Sequence, residues 1–250
     1  MRLLVFAVVL YTAVAAPVLA GTVITSEMSA PNVAGNSVVY YIEPDRVRME
    51  YPGHVVIFRA DQDTEYALAP AEKKFRRMTP EAMKQSAAAA AKMFELLRSM
   101  SPEQRAQFER IMTPERLAQA EKMMAGQAPK SELHKTGSTA SFGKWTCELV
   151  EAVRNGQRHS SLCVAHISDL GLTEEDLGGL RRAATMEGFR AMEKVVGYAA
   201  YPVYREILAV EMQTTVEMQT TVKTVEKKPL AAGLFEVPAD YREEPMPAPR

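Results

Sequence analysis

The sequence has few of the residues on which catalytic and metal sites depend. Its 250 residues include only two cysteines and four histidines, which are His54, His134, His159 and His166. No histidine has the His-x-x-x-His spacing of a metal site, and no glycine-rich phosphate loop is present. Ser160 beside His159 lacks the strand-turn-helix setting of a hydrolase nucleophile. We therefore predict that the protein is not an enzyme and binds no metal and no cofactor.

An excess of charge of one sign is also missing, and this bears on the partners. The chain has 30 basic and 31 acidic residues, which are interspersed along the sequence. A protein that binds nucleic acid needs a basic stripe to displace phosphate counterions. We therefore expect no nucleic-acid partner.

Long apolar runs are absent after the first 20 residues. Arg2 precedes a short apolar core, and a Val-Leu-Ala site ends at Ala20. These features are typical of a secretory signal peptide, whereas a membrane helix needs about 20 apolar residues. We predict cleavage after Ala20, a periplasmic or secreted location, and no transmembrane segment in the mature chain. An N-terminal core helix is the alternative interpretation.

Short β-branched and aromatic runs dominate residues 37–78, separated by proline, glycine and aspartate. This pattern predicts an antiparallel meander, preceded by a first strand within residues 21–28 and a loop at residues 31–36. The runs occupy residues 37–42, 46–50, 54–58, 65–68 and 74–76.

One face of this meander is predicted to be apolar and to need a cover. Leaving it in water is costly, because burial is worth about 25 cal/mol per Å². We expect eight side chains on one inner face, and they are the candidate lining of a site for an apolar ligand. They are Tyr40, Ile42, Val47, Met49, Val55, Ile57, Tyr66 and Leu68.

Residues 79–126 are predicted to be a helical insertion in the strand pattern, followed by a polar linker at residues 130–137. Three segments begin with a hydroxyl residue, proline and glutamate, at Thr79, Ser101 and Thr113. This order is typical of helix N-termini. Seven methionines are concentrated from Met78 to Met124. They are interpreted as helix formers and core fillers, with soft metal ligation or contact with apolar partners as the alternatives.

The two cysteines flank a hairpin turn signal at Asn155 and Gly156. A three-residue loop with Gly156 in a left-handed bulge would set Cys147 opposite Cys163, whereas a two-residue loop would set Cys147 opposite Val164. The placement of the cysteines favours the bulged loop. In an exported protein, an even pair in these positions predicts a disulfide between Cys147 and Cys163.

The remaining segments are predicted to be one helix, one long strand and a terminal anchor. The helix spans residues 171–197, with Thr173 as N-cap and a stripe rich in alanine and glycine that leaves space for an acyl chain beneath it. The duplicated Glu-Met-Gln-Thr-Thr-Val motif at residues 211–222 lengthens a single strand. The anchor is at residues 234–238, and the tail at 241–250 is expected to be disordered. The predicted stripe comprises Leu177, Leu180, Ala184, Gly188, Ala191 and Val195.

The chain resembles an exported bacterial family of unknown function, the DUF4412 family. The resemblance rests on the export signal, the segments at residues 41–50 and 57–68, the segment at residues 136–147, and the Phe-Glu-Val-Pro-Ala-Asp-Tyr sequence at residues 235–241. That family is in turn similar to the periplasmic lipoprotein carriers. The resemblance implies an α+β fold in residues 21–240, with a bent antiparallel sheet, an open half-barrel, covered by helices. It implies no catalytic residue.

Two functional hypotheses follow. The first is a periplasmic binding or carrier protein that holds a lipid or other apolar ligand, or a lipidated partner, between the sheet and its helices. The second is an envelope stress or chaperone-like protein, which binds envelope protein partners through the methionine-rich helices of the insertion.

Overall fold

The computed structural model describes residues 20–30, 33–99, 131–183, 187–211 and 214–245. Within these ranges the chain forms one sheet of twelve strands and three α-helices. The helices are α1 (Pro80–Ser99), α2 (Gly178–Arg182) and α3 (Glu187–Val196). The strands are β1 (Ala20–Ala30), β2 (Val33–Ile42), β3 (Arg46–Tyr51), β4 (His54–Arg59), β5 (Thr64–Ala69), β6 (Lys74–Met78), β7 (Glu132–Phe142), β8 (Trp145–Arg154), β9 (Gln157–His166), β10 (Ala200–Glu211), β11 (Thr214–Pro229) and β12 (Arg242–Glu243).

The sheet is open, with β12 at one edge and β7 at the other. Its order is β12-β6-β5-β4-β3-β2-β1-β11-β10-β9-β8-β7, and every pairing is antiparallel except that of β12 with β6. The sequence predicted an α+β fold with an open antiparallel sheet covered by helices, and the structure has an open sheet with few helices among the described residues. The predicted signal peptide lies outside the described residues, apart from Ala20, with which β1 begins.

The predicted meander is confirmed as strands β2 to β6, each paired with the next along the chain. The predicted loop at residues 31–36 is wrong from Val33 onward, because β2 already begins there. Asn36 pairs with Met28 and Val33 with Ala30, so the β1 to β2 hairpin is longer than its polar sequence indicated.

The two halves of the sheet are joined through β1 and β11. Strand β1 pairs with β2 on one side and with β11 on the other, from Ala20 opposite Pro229 to Ser29 opposite Gln219. The duplicated motif does not lengthen a single strand as predicted. Glu211 ends β10 and pairs with Thr214 at the start of β11, so the duplication builds a hairpin.

The predicted helix at residues 171–197 is broken. Ala183 is extended, with φ −62° and ψ 123°, so α2 ends before it and α3 begins at Glu187. The predicted N-cap at Thr173 is wrong, because the short 3₁₀ turn that follows has Glu174 as its N-cap residue. The backbone N–H of Thr173 instead donates to the Asp176 carboxylate at 2.7 Å. Leu177 is fully buried, as predicted.

The break shifts the buried face of α3 away from the predicted stripe. Leu180 in α2 is buried, but Ala191 in α3 is exposed. Phe189, Met192 and Val196 are the buried residues of α3 instead. The predicted positions Ala184 and Gly188 lie where side chains are not described.

The predicted insertion begins as expected but connects distant strands. The Thr79 hydroxyl accepts a hydrogen bond from the Ala82 backbone N–H at 3.1 Å, which caps α1. Residues 100–126 lie outside the described residues. The connection leads from β6, near one edge of the sheet, to β7 at the opposite edge. The predicted linker at residues 130–137 is wrong from Glu132 onward, because β7 pairs with β8 from that residue.

The predicted disulfide is formed, but the predicted hairpin loop is wrong. Asn155 and Gly156 both have positive φ, at 53° and 75°, and form a two-residue turn. The extra residue is His159, in a bulge of β9. Cys147 and Cys163 are therefore not directly opposite each other, and the bridge runs diagonally between adjacent strands with Cα atoms 5.3 Å apart.

The C-terminal segment anchors the sheet. Phe235 is fully buried, which confirms the predicted anchor. The tail predicted to be disordered from Tyr241 is ordered through β12, where Arg242 pairs with Lys74 of β6. Strand β6 would otherwise be an edge strand with unpaired backbone groups, and β12 pairs with it. Opposite charges also face each other here, since Lys74 contacts Glu244 at 2.8 Å.

Candidate functional site

The eight predicted lining residues lie on opposite sides of the sheet. The two-residue turn between β3 and β4 pairs Tyr51 with His54, so odd-numbered residues of β3 share a side with even-numbered residues of β4. We call the side of the sheet that α2 covers the helix side, and the side that the C-terminal segment around Phe235 covers the tail side. The helix side carries Tyr40, Ile42, Val47 and Met49, and the tail side carries Val55, Ile57, Tyr66 and Leu68. The prediction of one continuous inner face is therefore wrong.

The tail side is filled by the chain's own C-terminal segment. Val55, Ile57 and Leu68 are buried with Phe235 in a small core, and Tyr66 packs at its edge. Two arginines also hold this segment, one through its backbone and one through the Phe235 ring. The guanidinium of Arg48 donates to the Leu234 carbonyl at 3.1 Å, and that of Arg46 lies 4.9 Å from the centre of the Phe235 ring. The four tail-side residues thus belong to a closed core.

On the helix side, Ile42 and Val47 lie beneath α2 with no space between. A Cβ atom on Gly179 would come within 2.4 Å of the Glu43 carbonyl oxygen and 2.9 Å of Val47 Cγ2. The Gly179 N–H donates to the same carbonyl at 3.1 Å. The small residues of this helix therefore permit close contact, and the predicted space beneath them is absent at α2.

Tyr40 and Met49, the other two helix-side residues, lie beside an exposed phenol. Tyr51 is 36% exposed, and its ring packs edge-on against Tyr40 with centroids 6.3 Å apart. The two phenol oxygens are 3.2 Å apart and share a hydrogen bond. Tyr51 also donates weakly to the sulfur of Met49 at 3.8 Å. These groups form a surface that is aromatic and also able to donate hydrogen bonds.

Tyr201 of β10 faces this pair from across the sheet, and we call Tyr40, Tyr51 and Tyr201 the tyrosine cluster. Tyr201 is buried, and its ring lies 5.9 Å from that of Phe189 in α3. Strands β3 and β10 are four strand spacings apart, about 19 Å on a flat sheet. Tyr201 nevertheless interacts electrostatically with Tyr51. Tyr40 and Tyr201 also pack in one hydrophobic core although their strands are not neighbours, so the sheet curves toward the helix side.

Burial keeps Tyr40 and Tyr201 neutral. It raises the pKa of Tyr40 well above the ordinary tyrosine range, and the neighbouring Tyr201 and Tyr51 raise it further, while Arg205 lowers it in part. Burial likewise raises the pKa of Tyr201, with a second contribution from Tyr51. Neutral phenols at physiological pH are hydrogen-bond donors and acceptors, not bases or anionic nucleophiles.

Arg205 brings a positive charge to the same side. It pairs with Thr220 of β11, which pairs with Met28 of β1, and Met28 alternates with Ile24 on the helix side. The residue is exposed. Within the part of the chain that the structure describes, no carboxylate forms an ion pair with Arg205, and the neighbouring Glu206 contacts Arg158 at 3.7 Å.

Sequence reasoning missed three of these residues. Tyr51, Tyr201 and Arg205 are not among the eight residues that the sequence predicted as the lining of the site. The alternation of β3 was a signal for Tyr51. No local signal in the sequence connects β10 with β2 and β3. These strands are three and four positions apart in the sheet, and their placement depends on the pairing of β1 with β11, which are distant in sequence.

The histidines, and Ser160 beside His159, are dispersed in the structure. His159 contacts the hydroxyl of Ser131, while the Ser160 hydroxyl donates to the Glu206 backbone carbonyl at 2.6 Å. The Nδ1 atom of His166 accepts from the Ser168 backbone N–H at 3.2 Å. Among the described residues, no three histidine, cysteine or acidic side chains are grouped as metal ligands would be. Of the described helices, none has the length and apolar character needed to cross a membrane.

Comparisons with known proteins identify a family. The family model described as "Domain of unknown function (DUF4412)" matches residues 79–241, which confirms the resemblance seen in the sequence. A comparison with curated proteins found no match.

Two solved structures are similar in outline. PNGF-II has a TM-score of 0.38 and 9% identity, over 89% of this chain and 31% of that protein. A LolA superfamily protein from Nitrosomonas europaea has a TM-score of 0.28 and 7% identity, over 88% of this chain and 91% of that protein. The chain thus spans about a third of the length of PNGF-II. At these scores neither likeness supports an inference about function.

Proposed function

The chain belongs to the DUF4412 family of domains of unknown function, and from that premise we propose that it is an exported, non-enzymatic binding or carrier-like protein for an apolar or lipid ligand. The ligand binds on the helix side of the curved sheet, at the tyrosine cluster. This location replaces the eight-residue lining that the sequence predicted, since of its four helix-side members Tyr40 and Met49 lie beside the exposed side chain of Tyr51, whereas Ile42 and Val47 lie beneath α2.

The observation that carries the proposal is the partial exposure of aromatic surface on the concave side of the sheet. Tyr51 is 36% exposed beside Tyr40, which is only half-buried. Aromatic rings on a concave surface offer large contact area with an acyl chain at little conformational cost.

Titration with a fluorescent fatty acid tests this proposal. Replacing Tyr51 by serine removes about 60 Å² of aromatic contact, worth about 1.5 kcal/mol, so Kd should rise roughly tenfold. The matched control is Tyr66→Ser on the tail side, where the side chain is half-buried and its hydroxyl donates to Gln62 at 3.1 Å. Thermal unfolding verifies that both variants are folded.

The control should bind as the wild type does. Absence of saturable binding by the wild type, or equal weakening by both substitutions, would refute the proposal. Native mass spectrometry of protein purified from the periplasm of its own host would show whether a lipid is carried in the cell. Recovery of the chain with its first 20 residues intact would count against the proposed export.

A chaperone-like function through the inserted helices is the second candidate. One observation favours it: Met83 on α1 is 47% exposed, and the described side chains of that helix are mostly exposed. An exposed methionine suits contact with varied apolar partners. Suppression of the aggregation of a denatured client by the wild type, lost on Met83→Glu, would support this function. Unchanged suppression would exclude this helix as the contact surface.

A further inference from the structure

We infer that the ligand of the helix side is amphipathic, with an anionic carboxylate or phosphate head group bound by Arg205 and an alkyl chain packed along the tyrosine cluster. This inference rests on the proposed function. It adds the charge of the ligand and the direction in which the ligand lies.

The first step is the position of Arg205 relative to the cluster. The strand register places Arg205 on the helix side, where it aligns through Thr220 with Met28 of β1. Tyr40 pairs with Ile24 of β1, which is four residues before Met28. Arg205 lowers the pKa of Tyr40, so its charge lies within electrostatic reach of that phenol. Arg205 thus lies next to the tyrosine cluster, displaced along the strands toward the ends at which β1 connects to β2 and β10 connects to β11.

The second step is the charge balance around Arg205. Its pairing with Leu162 and Thr220 on the flanking strands brings no carboxylate to it, and Glu206 is turned to Arg158. His159 is the other titratable group in reach, and Arg205 helps to lower the pKa of that imidazole, after burial and Arg154. Among the described residues, the groups around Arg205 are therefore neutral or positive, which favours an anion. A guanidinium binds carboxylate or phosphate oxygens through parallel hydrogen bonds.

The third step is the hydrogen bonding of the phenols. Tyr40 and Tyr51 have two hydroxyl protons but share a single hydrogen bond. Within the described part of the chain, the acceptor for the remaining proton is the Met49 thioether at 3.8 Å, and thioether sulfur is a weak acceptor. An oxygen of a bound head group would be a stronger acceptor for that proton. Arg205 and the exposed Tyr51 hydroxyl would then hold the head group, and the chain would extend toward Tyr201 and Phe189.

The experiment compares ligands that share one alkyl chain. Dodecanoate, dodecyl phosphate and 1-dodecanol are titrated by calorimetry below their critical micelle concentrations at pH 8, against wild type and Arg205→Gln. We expect the wild type to bind both anions about tenfold more tightly than the alcohol. Arg205→Gln should lose this preference and bind the alcohol as the wild type does. Arg182→Gln, which removes an exposed arginine of α2, is the matched control and should keep the preference.

Each outcome separates the inference from the function on which it rests. Equal binding of anions and alcohol by the wild type, or a preference that survives Arg205→Gln, overturns the anionic head group but leaves apolar binding intact. Failure of all three ligands to bind overturns the proposed function itself. Arg205→Lys should retain part of the preference, and added salt should reduce it.

Discussion

The substitution Gly179→Ala distinguishes close packing of α2 from a cavity beneath it. The new Cβ would meet two backbone carbonyl oxygens, at 2.4 Å from Glu43 and 2.7 Å from Arg46. Neither oxygen can move without displacing the turn between β2 and β3, so overpacking should cost about 1 to 3 kcal/mol. Displacement of α2 would also weaken the Gly179 N–H to Glu43 hydrogen bond of 3.1 Å, at about 1 kcal/mol.

A gain of about 1 kcal/mol from replacing glycine by alanine in a helix offsets part of this cost. The net expected loss is about 2 kcal/mol, which for a chain of this size lowers Tm by roughly 6 °C. Circular dichroism on thermal unfolding measures the shift. The control is Gly233→Ala, because no atom lies within 4 Å of its Cβ position, and Tm should change little. A Gly179→Ala protein at least as stable as the control would refute close packing and restore the cavity.

Three further predictions concern the disulfide and the titrating groups. Protein from an oxidising compartment should show no free thiols at Cys147 and Cys163, and reduction should cost about 3 kcal/mol for a separation of 16 residues; two free thiols would contradict the bridge. Arginine pairing lowers the pKa of Asp61 when folded, so its stabilisation is present above the unfolded pKa and is lost as pH falls below about 4. Asp61→Asn should flatten acid denaturation there, and an unchanged profile would exclude this contribution. Raised pKa values at Tyr40 and Tyr201 stabilise the fold below about pH 10, and this stability is lost at higher pH. Absorbance titration should show both ionising only on unfolding, and two ordinary native titrations would refute their burial.

Local signals in the sequence predicted the strands of the meander and the start of α1. Proline and glycine turns delimit β3 and β4 within one residue, and the hydroxyl of Thr79 caps α1 as expected. The disulfide was also predictable, because the chain has only two cysteines and they flank a single turn. These features depend on residues close together in sequence, where propensity and turn chemistry decide.

The site was not predictable from the same signals, because it depends on which side of the sheet each residue faces and on pairing between strands that are distant in sequence. One two-residue turn, after Tyr51, moves Val55 and Ile57 to the other side from Val47 and Met49. Hydrophobicity cannot reveal this division, since both sides of the meander are buried, one by α2 and the other by the C-terminal segment. The glycines of α2 are compatible either with a cavity beneath the helix or with close packing of the helix on the sheet. The position of the neighbouring backbone decides between the two.

The β1 to β11 ladder has a consequence for how the chain folds. Strand β1 can form a meander with β2 to β6 as soon as these residues are available, but its other edge waits for β11, about 200 residues later. Closing that long loop is entropically costly and slow. We therefore expect folding in two stages, in which an N-terminal half-sheet with one open edge persists until residues 214–229 arrive. That open edge is the point at which the nascent protein is most exposed to strand exchange and aggregation.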